Sequence, residues 1–217
     1  MNRSESRKNP HPSLSVRGFQ IFSGLIGPLE QKALVEQIRS LVALAPLFHP
    51  KTSRGLKMSV RMTSAGSVGW VSDRRGYRYE ESHPRGCAWP PIPPDILAIW
   101  RHVTGLSRDP DSCLINFYDA DAKMGMHQDK DENDFSWPVV SVSLGDDALF
   151  RMGNVERGGK TDSIWLKSGD VVVMGGAARL AHHGVDRIRA GSSTLLQNEG
   201  RINLTLRVVS ATEGHII

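Results

Sequence analysis

From Cys113 onward the chain breaks into short β-type runs, "CLINFY", "VVSVSL", "LFRM", "DSIWL", "DVVVM", "LLQ" and "INLTLRVV", separated by turn residues such as Gly and Asp. No amphipathic stretch of convincing helical length lies between them. Parallel strands need long, usually helical crossovers, so this spacing argues against alternating β/α units. It predicts a mainly β core of the sandwich or jelly-roll kind.

Upstream the pattern differs. Residues 1–15 carry Ser, Arg, Asn and Pro without periodicity and read as a flexible tail. "VRGFQIF" alternates like a first strand. Pro28 then stands at a helix start before "LEQKALVEQIRSLVAL", and a shorter helix is expected from Pro94 and Asp95 to Gly105. Between the helices, residues 50–92 are rich in Lys, Arg, Gly, Ser and Pro with interspersed aromatics, and read as a surface excursion. A length of 217 residues fits one domain over 16–217, of α+β class with β dominant.

Hydrophobic residues at 39% and charged residues at 23% are near globular values, which argues against a disordered chain. No apolar run reaches bilayer length and no signal-peptide core follows the N-terminus, so a cytoplasmic protein without membrane contact is expected. Cys87 and Cys113 are too few for a disulfide framework and lack paired zinc spacing; they read as reduced thiols. The net charge of +4, from an Arg-rich set, is compatible with a polyanionic partner.

"MHQDKDE" places His127 and Asp129 two residues apart, on the same side of an extended segment. A second histidine could come from "RLAHHGV", as His182 or His183. Two histidines and a carboxylate on one face of an octahedral ion leave positions open, as in non-haem iron(II) oxygenases, although solvated turn charges would look the same at this level. Arg201 and Arg207 share parity on a strand and can face one pocket. Such a pair suits an acidic small co-substrate; its plainer alternative is a solvent-facing pair.

The string "CLINFYDADAKMGMHQDKDE", followed by "PVVSVSLG", "GDVVVMGG", "RLAHHGV" and "RINLTLR", resembles the AlkB family of iron(II)- and 2-oxoglutarate-dependent nucleic-acid dealkylases. "MTSAGSVGW" and "RRGYRY" extend the likeness upstream. The resemblance implies a double-stranded β-helix (jelly roll) over 113–209, N-terminal helices, and a nucleotide-recognition lid over 50–92. It implies Fe(II) on His127, Asp129 and His183, the histidine before Gly, with His182 as a neighbour. It places 2-oxoglutarate on Asn116, Tyr118, Ser141, Arg201, Asn203 and Arg207, with Arg201 on the carboxylate beside the keto group and Arg207 on the far one.

On the substrate side, Trp70 would stack on the alkylated base, Asp131 face its exocyclic amino group, Tyr77 contact phosphate and Arg157 lie beside the substrate. Lys51, Arg54, Arg74, Arg75 and Arg78 would add a positive surface. Lys130 and Glu132 are expected to be solvated turn charges, and Gln128 to carry no chemistry. Met174 and Ile202 depart from the family pattern, where aromatics are usual. The implied activity is repair of bases such as 1-methyladenine and 3-methylcytosine in single-stranded DNA by a monomer using Fe(II), 2-oxoglutarate and O2. The rivals are an RNA or tRNA demethylase and, further off, an inactive nucleic-acid binding module.

Overall fold

A computed structural model of the protein describes residues 10–210. In chain order its strands are β1 (Leu14–Val16), β2 (Phe19–Phe22), β3 (Arg61–Gly66), β4 (Gly69–Asp73), β5 (Gly76–Glu80), β6 (Ser112–Tyr118), β7 (Met124–His127), β8 (Val139–Gly145), β9 (Asp147–Met152), β10 (Asp162–Leu166), β11 (Val171–Met174), β12 (His183–Arg189) and β13 (Arg201–Arg207). The helices are α1 (Pro28–Leu44) and α2 (Pro94–Thr104). Seven strands form one sheet in the order β1, β2, β11, β8, β13, β6, β3; four form a second in the order β10, β9, β12, β7; β4 and β5 stand apart as a hairpin.

Both helices form where the sequence places them. Pro28 and Pro94 open them, where a missing N–H costs nothing, and Gly105 closes α2 with a left-handed φ of 69°. Leu34, Val35 and Ile38 of α1 and Ile96 and Trp100 of α2 cover one face of the large sheet, against Ile115, Val140, Val142, Leu204 and Leu206. The small sheet covers the other face, packing Phe150, Met152 and Val185 against Ile21, Leu114 and Val172.

A sheet covered on both faces has no solvent side. β8 and β13 are buried at every position, which is why "VVSVSL" reads as nearly continuous apolar sequence. In β13 the even positions Ile202, Leu204 and Leu206 face the helices. The odd positions Arg201, Asn203, Thr205 and Arg207 therefore point between the sheets, although they are polar. Polar side chains on a buried strand face mark where a site must lie.

Several expectations are corrected. Residues 1–9 of the expected tail lie outside the described residues, but Leu14 and Ser15 pair with Ile21 and Gln20, so the tail does not extend to residue 15. "VRGFQIF" is the end of one strand, a turn and a second strand. The turn is Arg17 and Gly18, both at positive φ, the geometry of a two-residue hairpin loop. Within 50–92, Arg61–Gly66 is no excursion: it pairs with β6 as an edge of the large sheet. "LLQ" is not a strand, because the backbone of its loop bonds to the Asp146 carboxylate through Gly191, Ser193 and Gly200 N–H groups, at 3.2, 2.9 and 2.8 Å. Among the described residues no helix is long and apolar enough to cross a membrane.

Candidate active site

His127 ends β7 and His183 begins β12, and the antiparallel register sets them directly opposite each other with ring centroids 4.6 Å apart. Asp129 follows two residues later. One ligand atom from each of the three lies within 4.8 Å of the others. The Nε2 atoms of His127 and His183 stand 3.7 Å from Oδ1 and Oδ2 of Asp129, respectively, too far for hydrogen bonds.

The donor chemistry fits a metal. Nδ1 of His127 faces the Gly125 carbonyl at 2.9 Å and Nδ1 of His183 faces the Ala181 carbonyl at 3.0 Å. A ring nitrogen against a carbonyl carries the proton, so each Nε2 presents its lone pair. Oδ2 of Asp129 is buried without a hydrogen-bond partner. Two imidazoles and a carboxylate are the donor set of a non-haem Fe(II) site. His182 is half-buried and turned toward the Asn154 carbonyl at 3.2 Å, outside this cluster.

Charge reinforces the arrangement. Burial alone would raise the Asp129 carboxyl, but the Arg207 guanidinium and the two imidazoles outweigh it and hold the group well below the usual carboxylate range. Burial, opposed by the Asp129 charge, pushes the His183 imidazole down to about 4. At neutral pH both are in the form that binds a cation.

Beside the triad a cavity of about 660 Å³ runs between the sheets. On its large-sheet wall Asn203 donates to Ser141 Oγ at 2.7 Å, while Asn203 Oδ1 accepts from Thr205 Oγ1 at 2.9 Å and from Asn116 Nδ2 at 3.2 Å. Asn116 Oδ1 is left without a partner. The Tyr118 hydroxyl reaches only Met124 Sδ, at 3.7 Å. Arg201 is 1% exposed and bonds Ser143 Oγ at 2.7 Å, yet its Nε is unpaired and no described carboxylate stands within 4.0 Å of it. A buried cation without a counter-ion, in the wall of a cavity, is prepared for an anionic ligand. Arg207 differs: its Nη2 donates to Asp129 Oδ1 at 2.7 Å, placing it against the triad.

At the cavity mouth, Trp70 Nε1 donates to Asp131 Oδ2 at 2.9 Å and its ring stacks on Tyr77 at 5.4 Å. Arg157 is exposed at the rim. Met174 lines the cavity, whereas Ile202 packs on the helix side of the sheet. Of the expected positive surface, Arg75 and Arg78 are already paired with Asp73 and Glu80; Lys51, Arg54 and Arg74 are exposed.

Four residues to which the sequence assigned no part in the site stand at it: Glu132, Arg179, Tyr79 and Gln128. Glu132 is not a solvated turn charge: its side chain is 1% exposed, bonded by Arg179 at 2.9 Å and by the Tyr79 hydroxyl at 2.7 Å. These partners come from positions 47 and 53 residues away, so no local pattern could reveal them. Gln128 Nε2 bonds the carbonyls of Leu180 and Val155, at 2.6 and 3.0 Å, and so fastens the segments around both histidines.

The profile of the 2OG-Fe(II) oxygenase superfamily matches residues 18–207. The "Alpha-ketoglutarate-dependent dioxygenase AlkB homolog" of Caulobacter vibrioides NA1000 is 50% identical over 197 residues, 90% of this chain and 90% of that protein. The "Alpha-ketoglutarate-dependent dioxygenase AlkB" of Escherichia coli K12 is 37% identical over 185 residues, 83% of this chain and 85% of that protein. The solved structure of OsALKBH1 superposes with a TM-score of 0.76 at 31% identity, covering 89% of this chain and 99% of that one. With a metal-ready triad, a buried arginine beside it and likeness spanning nearly the whole fold, the chain belongs to the AlkB family of Fe(II)- and 2-oxoglutarate-dependent dioxygenases.

Proposed function

We propose that the protein removes alkyl groups oxidatively from N-alkylated bases such as 1-methyladenine and 3-methylcytosine in single-stranded DNA. The observation that carries this reading is the group formed by Trp70, Tyr77 and Asp131 at the mouth of the triad cavity. An aromatic face beside a carboxylate favours a flat, cationic ring, which these methylated bases are. The two facing sheets are read as a jelly roll, and 50–92 without β3 as the lid that carries Trp70 and Tyr77.

The chemistry supplied by Fe(II), 2-oxoglutarate and O2 is oxidation of an N-alkyl carbon, with succinate and formaldehyde as products. This chain's residues do the rest. His127, Asp129 and His183 would hold Fe(II) through the two Nε2 atoms and the Asp129 carboxylate. Arg207, bonded to Asp129, would take one carboxylate of 2-oxoglutarate, and Arg201, six residues earlier on β13, would take the other. The Arg207–Asp129 bond supports assigning the carboxylate beside the keto group to Arg207, the opposite of the expectation from sequence. Asn116, Tyr118, Ser141 and Asn203 line the space between. Trp70 stacks on the base, Asp131 accepts from its exocyclic amino group, Tyr77 meets the phosphate backbone and Arg157 lies beside the substrate. The enzyme is read as a cytoplasmic monomer, which light scattering distinguishes from a dimer.

The test is formaldehyde and succinate release with a 1-methyladenine oligodeoxynucleotide, against an unmodified control and methylated tRNA. Lesion-dependent formaldehyde from DNA supports the reading. Release from tRNA alone replaces DNA by RNA as substrate, and binding without turnover of any methylated strand refutes dealkylation.

A further inference from the structure

The loop after Asp129 is bonded at two residues to the β4/β5 hairpin: Trp70 reaches Asp131, and Tyr79 reaches Glu132. Glu132 faces two arginines, with Oε2 2.9 Å from Arg179 and Oε1 3.3 Å from Nε of Arg207. Nη1 of Arg207 also donates to the Tyr79 hydroxyl at 3.3 Å. Arg207 thus has Asp129, Glu132 and Tyr79 on three sides: hydrogen bonds join it to Asp129 and Tyr79, and Glu132 meets it as an ion pair, its Nε being left without a hydrogen-bond partner. Burial, foremost, keeps the Tyr79 phenol above its ordinary range, so it remains a donor.

A lone arginine beside a carboxylate tends to take both oxygens in a bidentate fork. Here it takes only Oδ1 of Asp129, and Oδ2 stays without a partner. A fork on both oxygens would compete with a metal for this ligand. Glu132 Oε1 and the Tyr79 hydroxyl stand at other edges of the same guanidinium, each at 3.3 Å. Two cations, Arg179 and Arg207, then balance two anions, Asp129 and Glu132, which lets the group stay buried.

We propose that Tyr79 and Glu132 are positioning residues of the oxidative centre: they hold Arg207 on a single oxygen of Asp129 and tie that arrangement to the hairpin. The hairpin then senses the state of the metal and co-substrate site through the Tyr79 hydroxyl. This does not depend on which nucleic acid is the substrate, since none enters the test.

The experiment measures Mn(II) and 2-oxoglutarate binding by calorimetry and hydrogen exchange of residues 69–80, for the intact protein, Tyr79→Phe and Glu132→Gln. Tyr79→Phe is expected to weaken 2-oxoglutarate by about fivefold, the size of one hydrogen bond to a charged network. Glu132→Gln is expected to weaken Mn(II) by about tenfold or more, as loss of an outer ligand partner does. In the intact protein, saturating Mn(II) and 2-oxoglutarate slow exchange across 69–80; in Tyr79→Phe at saturation this slowing is lost. A purely structural role would lower the melting temperature and leave the exchange response intact. That result, or affinities within about twofold of the intact protein, overturns the proposal, and Tyr79→Phe decides alone if Glu132→Gln does not fold.

Discussion

His182 and His183 are neighbours in sequence, yet only one meets Asp129. His183 is 6% exposed, with Nε2 3.7 Å from the carboxylate, while His182 is turned to the Asn154 carbonyl. His183→Ala should therefore cost more Mn(II) affinity than the roughly 10–100-fold that an outer partner costs. His182→Ala should stay within that range or below it. Calorimetric titration of both variants checks this, and a larger loss in His182→Ala would assign the ligand to the other histidine. The thiols divide in the same way. Burial pushes Cys113 up to about 12, whereas Cys87 is only partly covered. Brief treatment of the native protein with a maleimide at neutral pH should label Cys87 and spare Cys113, with both labelled after denaturation.

Edge strand β3 shows how an element depends on one backbone position. Gly66 ends it at φ +124°, and a Cβ there would stand 2.1 Å from the Asp111 carbonyl oxygen. Gly66→Ala should therefore cost at least about 2 kcal/mol in urea unfolding, through backbone strain and displacement of the β3 end; an unchanged midpoint would show that the edge yields freely. β3 was not legible in "RMTSAG" because its buried Thr63 and Ser64 read as loop residues. Thr63 is satisfied by the Ala45 carbonyl at 2.8 Å, a partner 18 residues away. β12 was hidden by exposed Asp186, Arg187 and Arg189, which mask its inward Val185 and Ile188. The helices were legible because Pro28, Pro94 and Gly105 act locally. The same contrast runs through the site. His127, Asp129 and the Arg201/Arg207 parity are short-range patterns, whereas Glu132 is buried by contacts that only the assembled fold creates.

At the scale of the molecule, the two sheets divide the chemistry. The small sheet brings His127 and His183, the large sheet brings Asn116, Asn203 and both arginines, and the ion pair of Arg207 with Asp129 crosses between them. Without a metal to neutralise it, the buried part of the triad makes stability depend on pH. In the unfolded chain His183 takes up a proton near 6.5, but burial delays this in the fold to about 4. Between those values the unfolded state binds more protons, so stability falls as pH falls, by up to roughly 3 kcal/mol from this group. Asp129 acts lower: its contribution is present above the ordinary carboxylate value and lost below it, since its folded value is depressed. The melting temperature of chelator-treated protein should thus decline steadily from pH 6.5 toward 4.5. His183→Gln, which cannot take up that proton, should flatten this decline. Parallel slopes in the two proteins would mean that the buried imidazole does not set the acid sensitivity of the fold.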